Sequence, residues 1–249
     1  TINRMDSRLL LECFHGTLQA NQQVRLHSEN QLKENSHKPG FFAACLDLIG
    51  SQQDIDPNVR KAAAVYFKNK IVRNWSPSST DSTAQHVIDN DERPLIRDNL
   101  LLVFIRADYN VKQQLIPVLR VLITCEFPRR WPDLLNITGQ LLQTHENNEL
   151  YTGLLCFLEI CRKFRWVSND SRLSELDPII VQVFPHLLNL GNSIVLQGEA
   201  ITEASAEMLK LILKIYKFVT YLDLPVVLQT RDAILSWALL LGSVINMPV

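Results

Sequence analysis

Residues 54–75 read DIDPNVRKAAAVYFKNKIVRNW, and this stretch decides the fold. Asp56 stands directly before Pro57. An N-cap carboxylate accepts from the free N–H groups of a helix start, and proline at the first helical position gives up an N–H that has no partner there anyway. The pattern predicts a capped turn at 54–57 and a long helix over 58–75. Val59 anchors that helix, and Ala62, Ala63 and Ala64 let another helix approach closely. Arg60, Lys61, Lys68, Lys70 and Arg73 add five positive charges with no acid among them. A helix with one apolar, small-residue side has to bury it against something.

The same three-and-four spacing runs outward in both directions. Upstream, Leu9, Leu10, Phe14 and Leu18 predict one helix. Val24, Ser28 and Leu32 predict a second, with Arg25, Glu29 and Lys33 on its other side. Pro39-Gly40 breaks the chain before a short helix at 41–49. Downstream, 76–90 is polar and Ser/Thr-rich and reads as an exposed loop, a solvated linker with phosphorylation as the alternative. Further helices are predicted at 91–106, 111–127, 133–144, 149–164, 178–190, 199–221 and 226–244, with a Pro-flanked corner at 127–132. Pro185 is expected to kink its helix or end a turn.

About eleven helices result, shorter and longer in alternation. The longer members begin near 24, 59, 111, 150 and 201, clustering around the 40–47 residue period of HEAT-type repeats. One pair cannot bury its apolar stripe alone, so pairs stack. The expected fold is all-α, a HEAT-repeat α-α superhelix (solenoid) of about five to six repeats, continuous over 5–249.

Composition agrees. The 249 residues include 39 Leu and only 8 Gly, which disfavours turn-rich β architectures and glycine phosphate loops. With 25 basic against 26 acidic residues, no global polyelectrolyte footprint for nucleic acid exists. The five cysteines (13, 45, 125, 156 and 161) form no C-x-x-C and read as buried thiols in a reducing compartment. Residues 1–4 precede Met5 and read as lying ahead of a native start, with no signal-peptide pattern. Residues 233–249 carry no charge, and burial against a neighbouring helix outside this chain is favoured over a membrane span.

No catalytic constellation is present in the sequence: no glycine phosphate motif, no nucleophile elbow and no zinc-protease motif. The six histidines are scattered without metal spacing, and His145-Glu146 reads as a helix-end dipole partner. The chain is expected to be no enzyme and to need no metal and no cofactor.

The 54–75 block also resembles the N-terminal domain of the importin-β family of nuclear transport receptors. That domain reads acidic-Pro-x-Val-Arg, small residues, aliphatic-Lys-Asn-x-Ile and a Trp. Ser28–Leu32, Pro39-Gly40-Phe41-Phe42, Asp91-Glu92-Arg93 and Ile96–Leu100 extend the likeness, placing the domain at 28–102. A second block, Glu126-Phe127-Pro128 through Trp131-Pro132-Asp133-Leu134-Leu135, is similar to a repeat corner of these receptors. The pattern is most like the importin-seven and importin-eight subgroup, and the chain is expected to be an N-terminal portion of a longer receptor.

What the resemblance implies is a shuttling receptor of cytoplasm and nucleus. Its partners would be Ran-GTP, protein cargo and the phenylalanine-glycine repeats of nuclear pores, with no membrane and no direct nucleic acid. Ran-GTP would meet the inner helices of the first repeats, at Lys61, Lys68 and Asn69 and at Lys112, Gln113 and Arg120. The residues alone leave alternatives open. The basic face is equally a solvated one, Arg60 is a structural partner for Asp54, Asp56 or a neighbouring repeat, and Asn69 is equally a cap or bridge. Phe41, Phe42, Phe104 and Trp131 read as core. An exportin of the same family, or a HEAT scaffold without Ran dependence, remains the alternative function.

Overall fold

The computed structural model describes residues 7–76, 88–166 and 176–247, which contain eleven α-helices, two short 3-10 turns and no strand. The chain forms two compact units, residues 1–127 and 128–249. Residues 1–4 and most of the polar loop (77–87) lie outside the described residues.

The first unit holds α1 (Ser7–Thr17), α2 (Gln22–Asn35), α3 (Phe41–Ile49), α4 (Pro57–Asn74), α5 (Arg93–Arg106) and α6 (Tyr109–Glu126). Consecutive helices pair, α1 with α2, α3 with α4 and α5 with α6. One layer runs α1, α3, α5, and α4 packs on α6 in a second. Phe14, Phe41, Phe67 and Phe104 are fully buried, and the expected core residues Phe42 and Trp131 are buried in their own units. Burying one such side chain contributes about 1.5–3 kcal/mol, so the seams hold the helices.

The capped turn forms as the sequence predicts. Asp56 accepts from the Asn58 N–H at 2.8 Å, and Pro57 opens α4. Arg60 pairs with neither Asp54 nor Asp56. Its guanidinium donates to the Gln53 carbonyl at 3.1 Å, which ties the turn to backbone instead of to an acid.

The second unit holds α7 (Leu134–Gln143), α8 (Asn147–Phe164), α9 (Asp177–Val195), α10 (Glu203–Val219) and α11 (Arg231–Ile245). α7 pairs with α8 and α9 with α10, while α8 packs on α10 and α9 on α11. α9 is long and apolar enough to cross a membrane by length and composition alone. Its apolar side is spent on protein: Ile180, Val183, Phe184, Leu187 and Ile194 are buried, and Gly191 lies against Leu240 of α11.

Several boundaries differ from the sequence expectation. α9 runs unbroken through Pro185, because Pro185 and Val181 face solvent, where water can serve the carbonyl left unbonded. The helix expected at 199–221 is a 3-10 turn, Gly198–Ala200, and then α10. That expected at 226–244 is a 3-10 turn, Val226–Leu228, and then α11. Hydroxyl caps set both starts: Thr202 accepts from the Ser205 N–H, and Thr230 from the Ala233 N–H. His145 lies beyond the end of α7, and Glu146 takes the N-cap position of α8, so the pair bridges two helices and does not end one.

All five cysteines are free thiols. Four are buried, but Cys125 is exposed on the last turn of α6, beside the stripe that carries Leu122 and Glu126. α11 buries only Trp237 and Leu240, and leaves Leu239 and Ile245 at 72% and 82% exposure.

Candidate functional site

The residues that give the first unit its rigidity come from three helix ends. Glu126, 1% exposed, closes α6. One of its carboxylate oxygens accepts from the Trp75 indole N–H at 3.0 Å and from Arg93 at 3.2 Å, and the other accepts from Arg97 at 3.3 Å. Arg93 also donates to the Trp75 carbonyl at 2.6 Å and to the Ile88 carbonyl at 3.3 Å, and its guanidinium lies 4.7 Å from the Trp75 ring centre. The lock therefore joins the end of α4, the start of α5 and the end of α6. Desolvating a carboxylate is costly, and here three donors on two arginines and an indole answer it.

Glu92, next to Arg93, reaches a different helix. Its carboxylate accepts from the Phe42 and Ala43 N–H groups at 3.0 and 3.3 Å, capping the N-terminus of α3 fifty residues upstream. An anion there meets both free N–H donors and the positive end of the helix dipole. The run Asp91-Glu92-Arg93 and the closing Trp75 are thus the ties of one assembly. Glu126 was detectable as an acid on an apolar stripe, since Leu115, Leu119, Leu122 and Glu126 follow at helical spacing, but its partners were not.

With α4 and α6 clamped at one end, their outward faces carry the predicted site residues. Lys61 and Asn69 are exposed on α4. They stand opposite the buried Val59, Ala63, Phe67 and Ile71. Lys68 is half-buried and donates to Gln114 of α6 at 2.9 Å. Lys68, Asn69, Val72, Arg73 and Pro117 line an open groove of about 460 Å³ between the two helices. Pro117 lacks the N–H that would continue the helix ladder, and it presents its ring to this groove. Asn69 makes no hydrogen bond among the described residues.

The residues predicted on α6 divide. Gln113 and Arg120 are half-buried and hold other contacts. Lys112 is 3% exposed, so it is a packing residue and not a surface contact. Burial pushes its ammonium below the ordinary lysine range, with Asp108 opposing the shift. Its position explains this: Lys112 sits three residues before Leu115 on the same apolar stripe as Glu126. Lys70, on the other flank of α4, donates to the Ser36 hydroxyl at 3.4 Å and lies over the Tyr66 ring, while Tyr66 donates to the Leu32 carbonyl. Lys70 thereby ties α4 to α2. Among the described residues no cluster of His, Cys, Asp or Glu could hold a metal ion.

Comparison with known proteins places this architecture. The model of the importin-beta N-terminal domain matches residues 28–106, which run from within α2 to the end of α5 and include both Glu92 and Arg93. Nonsense-mediated mRNA decay protein 5 of Saccharomyces cerevisiae is 37% identical over 98% of the chain and 24% of its own length. Importin-8 of Homo sapiens is 25% identical over 98% of the chain and 23% of its own. The chain spans about a quarter of the length of the curated relatives it matches. In fold, it is similar to the exportin Cse1 in its cargo-free, cytoplasmic state, with a TM-score of 0.78 at 22% identity over 98% of this chain and 26% of that one. It is also similar to Kap95p, solved with RanGDP, with a TM-score of 0.57 at 16% identity over 97% and 26%. These are HEAT-repeat folds, and the matched N-terminal domain, with relatives alike along 98% of the chain, makes the chain a member of the importin-β family.

Proposed function

We propose that this chain is the Ran-binding part of a nuclear import receptor, engaging Ran-GTP through α4 and α6 and releasing protein cargo when it does so. The observation that carries the reading is the match of the importin-beta N-terminal domain to residues 28–106. The basic face of α4 supports it. Lys61 and Asn69 are exposed, Lys68 lines the groove, and the helix carries no acid. Arg120 and Gln113 belong to the same proposal on α6, whereas Lys112 is left out by its burial. The resemblance to relatives named as importins favours import, and pore passage would use phenylalanine-glycine repeats as in the family. Shuttling between cytoplasm and nucleus follows from the same reading.

Linkage makes the release reciprocal: if Ran-GTP lowers cargo affinity, cargo lowers Ran-GTP affinity by the same factor. The test is capture of Ran by the chain, with Ran held in its GTP form or loaded with GDP. Preferential capture of the GTP form is expected, while equal capture of both forms, or none by the folded chain, removes the reading. Cargo binding by the full-length receptor then gives the direction of transport, since competition with Ran-GTP marks import and cooperation marks export.

A further inference from the structure

Trp75, Trp131 and Trp237 are buried, but Trp166, just after α8, is 67% exposed. Its ring stands edge-on against Tyr221, just after α10, with centres 5.1 Å apart at 80°. Arg165 lies among these rings, its guanidinium 3.8 Å from the Tyr221 centre, 4.6 Å from Trp166 and 5.1 Å from Phe218. Arg162, one turn earlier, also covers Phe218 at 5.0 Å, but its charge is answered by Glu159 at 3.2 Å. Arg165 has no such answer. Its guanidinium makes no hydrogen bond or ion pair among the described residues, and its Nε is buried without a partner.

A basic residue at a helix end complements the dipole, which accounts for the charges of Arg162, Lys163 and Lys217. That role requires neither a guanidinium among aromatic rings nor a solvent-facing indole. A guanidinium that lies over ring centres is held in place by them, and its planar terminal N–H groups match a carboxylate bidentately. The surroundings add apolar and positive character: Tyr221 and Leu222 are 44% and 52% exposed, and Lys214 and Lys217 are exposed on α10. Among the described residues the acids at hand are Glu159, buried in its ion pair, and Asp223, which holds a contact of its own.

We propose that Arg165, Trp166 and Tyr221 form a docking platform for an acidic peptide segment whose carboxylate sits beside an apolar or aromatic side chain. The carboxylate takes the Arg165 fork, and the neighbouring side chain lies on Trp166 and Leu222. A peptide fits better than a single-stranded nucleic acid, because one unanswered guanidinium meets one carboxylate, whereas a strand presents a charge at every nucleotide and needs a basic track. The platform stands in the second unit and does not depend on the Ran reading.

The probe is a short labelled peptide of Asp-Glu-Phe-Asp blocks titrated into the chain, followed by anisotropy and by iodide quenching of tryptophan. Since the other three indoles are buried, iodide reaches Trp166 and leaves them unquenched. The peptide is expected to bind, to shift Trp166 emission to the blue and to protect it from iodide. Arg165→Gln and Arg165→Lys should each weaken binding roughly ten-fold, the lysine failing because it lacks the planar fork. Helicity is checked in both variants, and Trp166 protection in the unaltered chain gives a reading that needs no variant. The proposal is overturned by no binding, by equal binding of a peptide with lysine in place of every acid, by tighter binding of oligouridylate, or by Arg165 variants within about two-fold of the unaltered chain.

Discussion

Glu126 shows how much one side chain decides. Its carboxylate answers Arg93, Arg97 and Trp75 at once, all within 3.3 Å. Glu126→Ala would leave two largely buried guanidinium groups without their anion, and breaking a buried pair in this way costs about 3–5 kcal/mol. Urea unfolding should show that loss, with Glu126→Gln losing less because it still accepts from the indole. A loss below about 1 kcal/mol for the alanine variant would mean that water replaces the carboxylate. Tyr66 makes a pH-dependent prediction. Burial, helped by Cys45 and opposed by the Ser36 hydroxyl, pushes its phenol up to about 12 from an ordinary 10. The folded state therefore holds the proton more tightly, so the contribution is complete below pH 10 and is lost as pH rises from 10 towards 12. Unfolding midpoints of the chain and of Tyr66→Phe should keep a constant gap up to about pH 9 and then move against tyrosine. The cysteines that titrate nearby are common to both proteins, so a gap unchanged to pH 12 would contradict the assignment.

Among the helices, the α7–α8 seam is set by Gly153. A Cβ there would stand 2.9 Å from the Leu141 Cβ and 3.0 Å from its carbonyl carbon. Backbone cannot swing aside as a side-chain tip can, so Gly153→Ala should destabilise by about 1–3 kcal/mol. That is opposite to the gain of about 1 kcal/mol that helix propensity alone would give. Urea unfolding of the variant decides the sign, and a stabilised protein would mean that the two helices separate freely. Legibility in the sequence divides at this scale. The Asp56-Pro57 start was legible because a cap is local chemistry. Thr202 and Thr230 carry the same signal, but no proline follows them to mark the helix start as Pro57 does. Lys112 looked like a surface charge until its place on the stripe of Leu115 and Leu119 is counted. The Glu126 lock could not be read, because its partners lie 29 to 51 residues away and meet only when three helix ends converge.

For the whole chain, the family was legible in the 54–75 block, and the pairing of helices in the repeat period that runs out from it. The proposed function rests on one face: α4 turns Lys61 and Asn69 outward, Lys68 borders the groove beside α6, and the buried lock joins the ends of the two helices. The central claim is that this face holds Ran-GTP. The most direct measurement is the affinity of Ran-GTP for the chain, for Lys61→Glu with Lys68→Glu, and for Lys33→Glu, which reverses a charge on α2 of the same unit. All three should have the same helicity. Double reversal on α4 should weaken binding by at least roughly ten-fold, with the Lys33 variant within about two-fold of the unaltered chain. Equal affinity for all three would show that the lysines of α4 are merely solvated, and the proposed Ran face would be wrong.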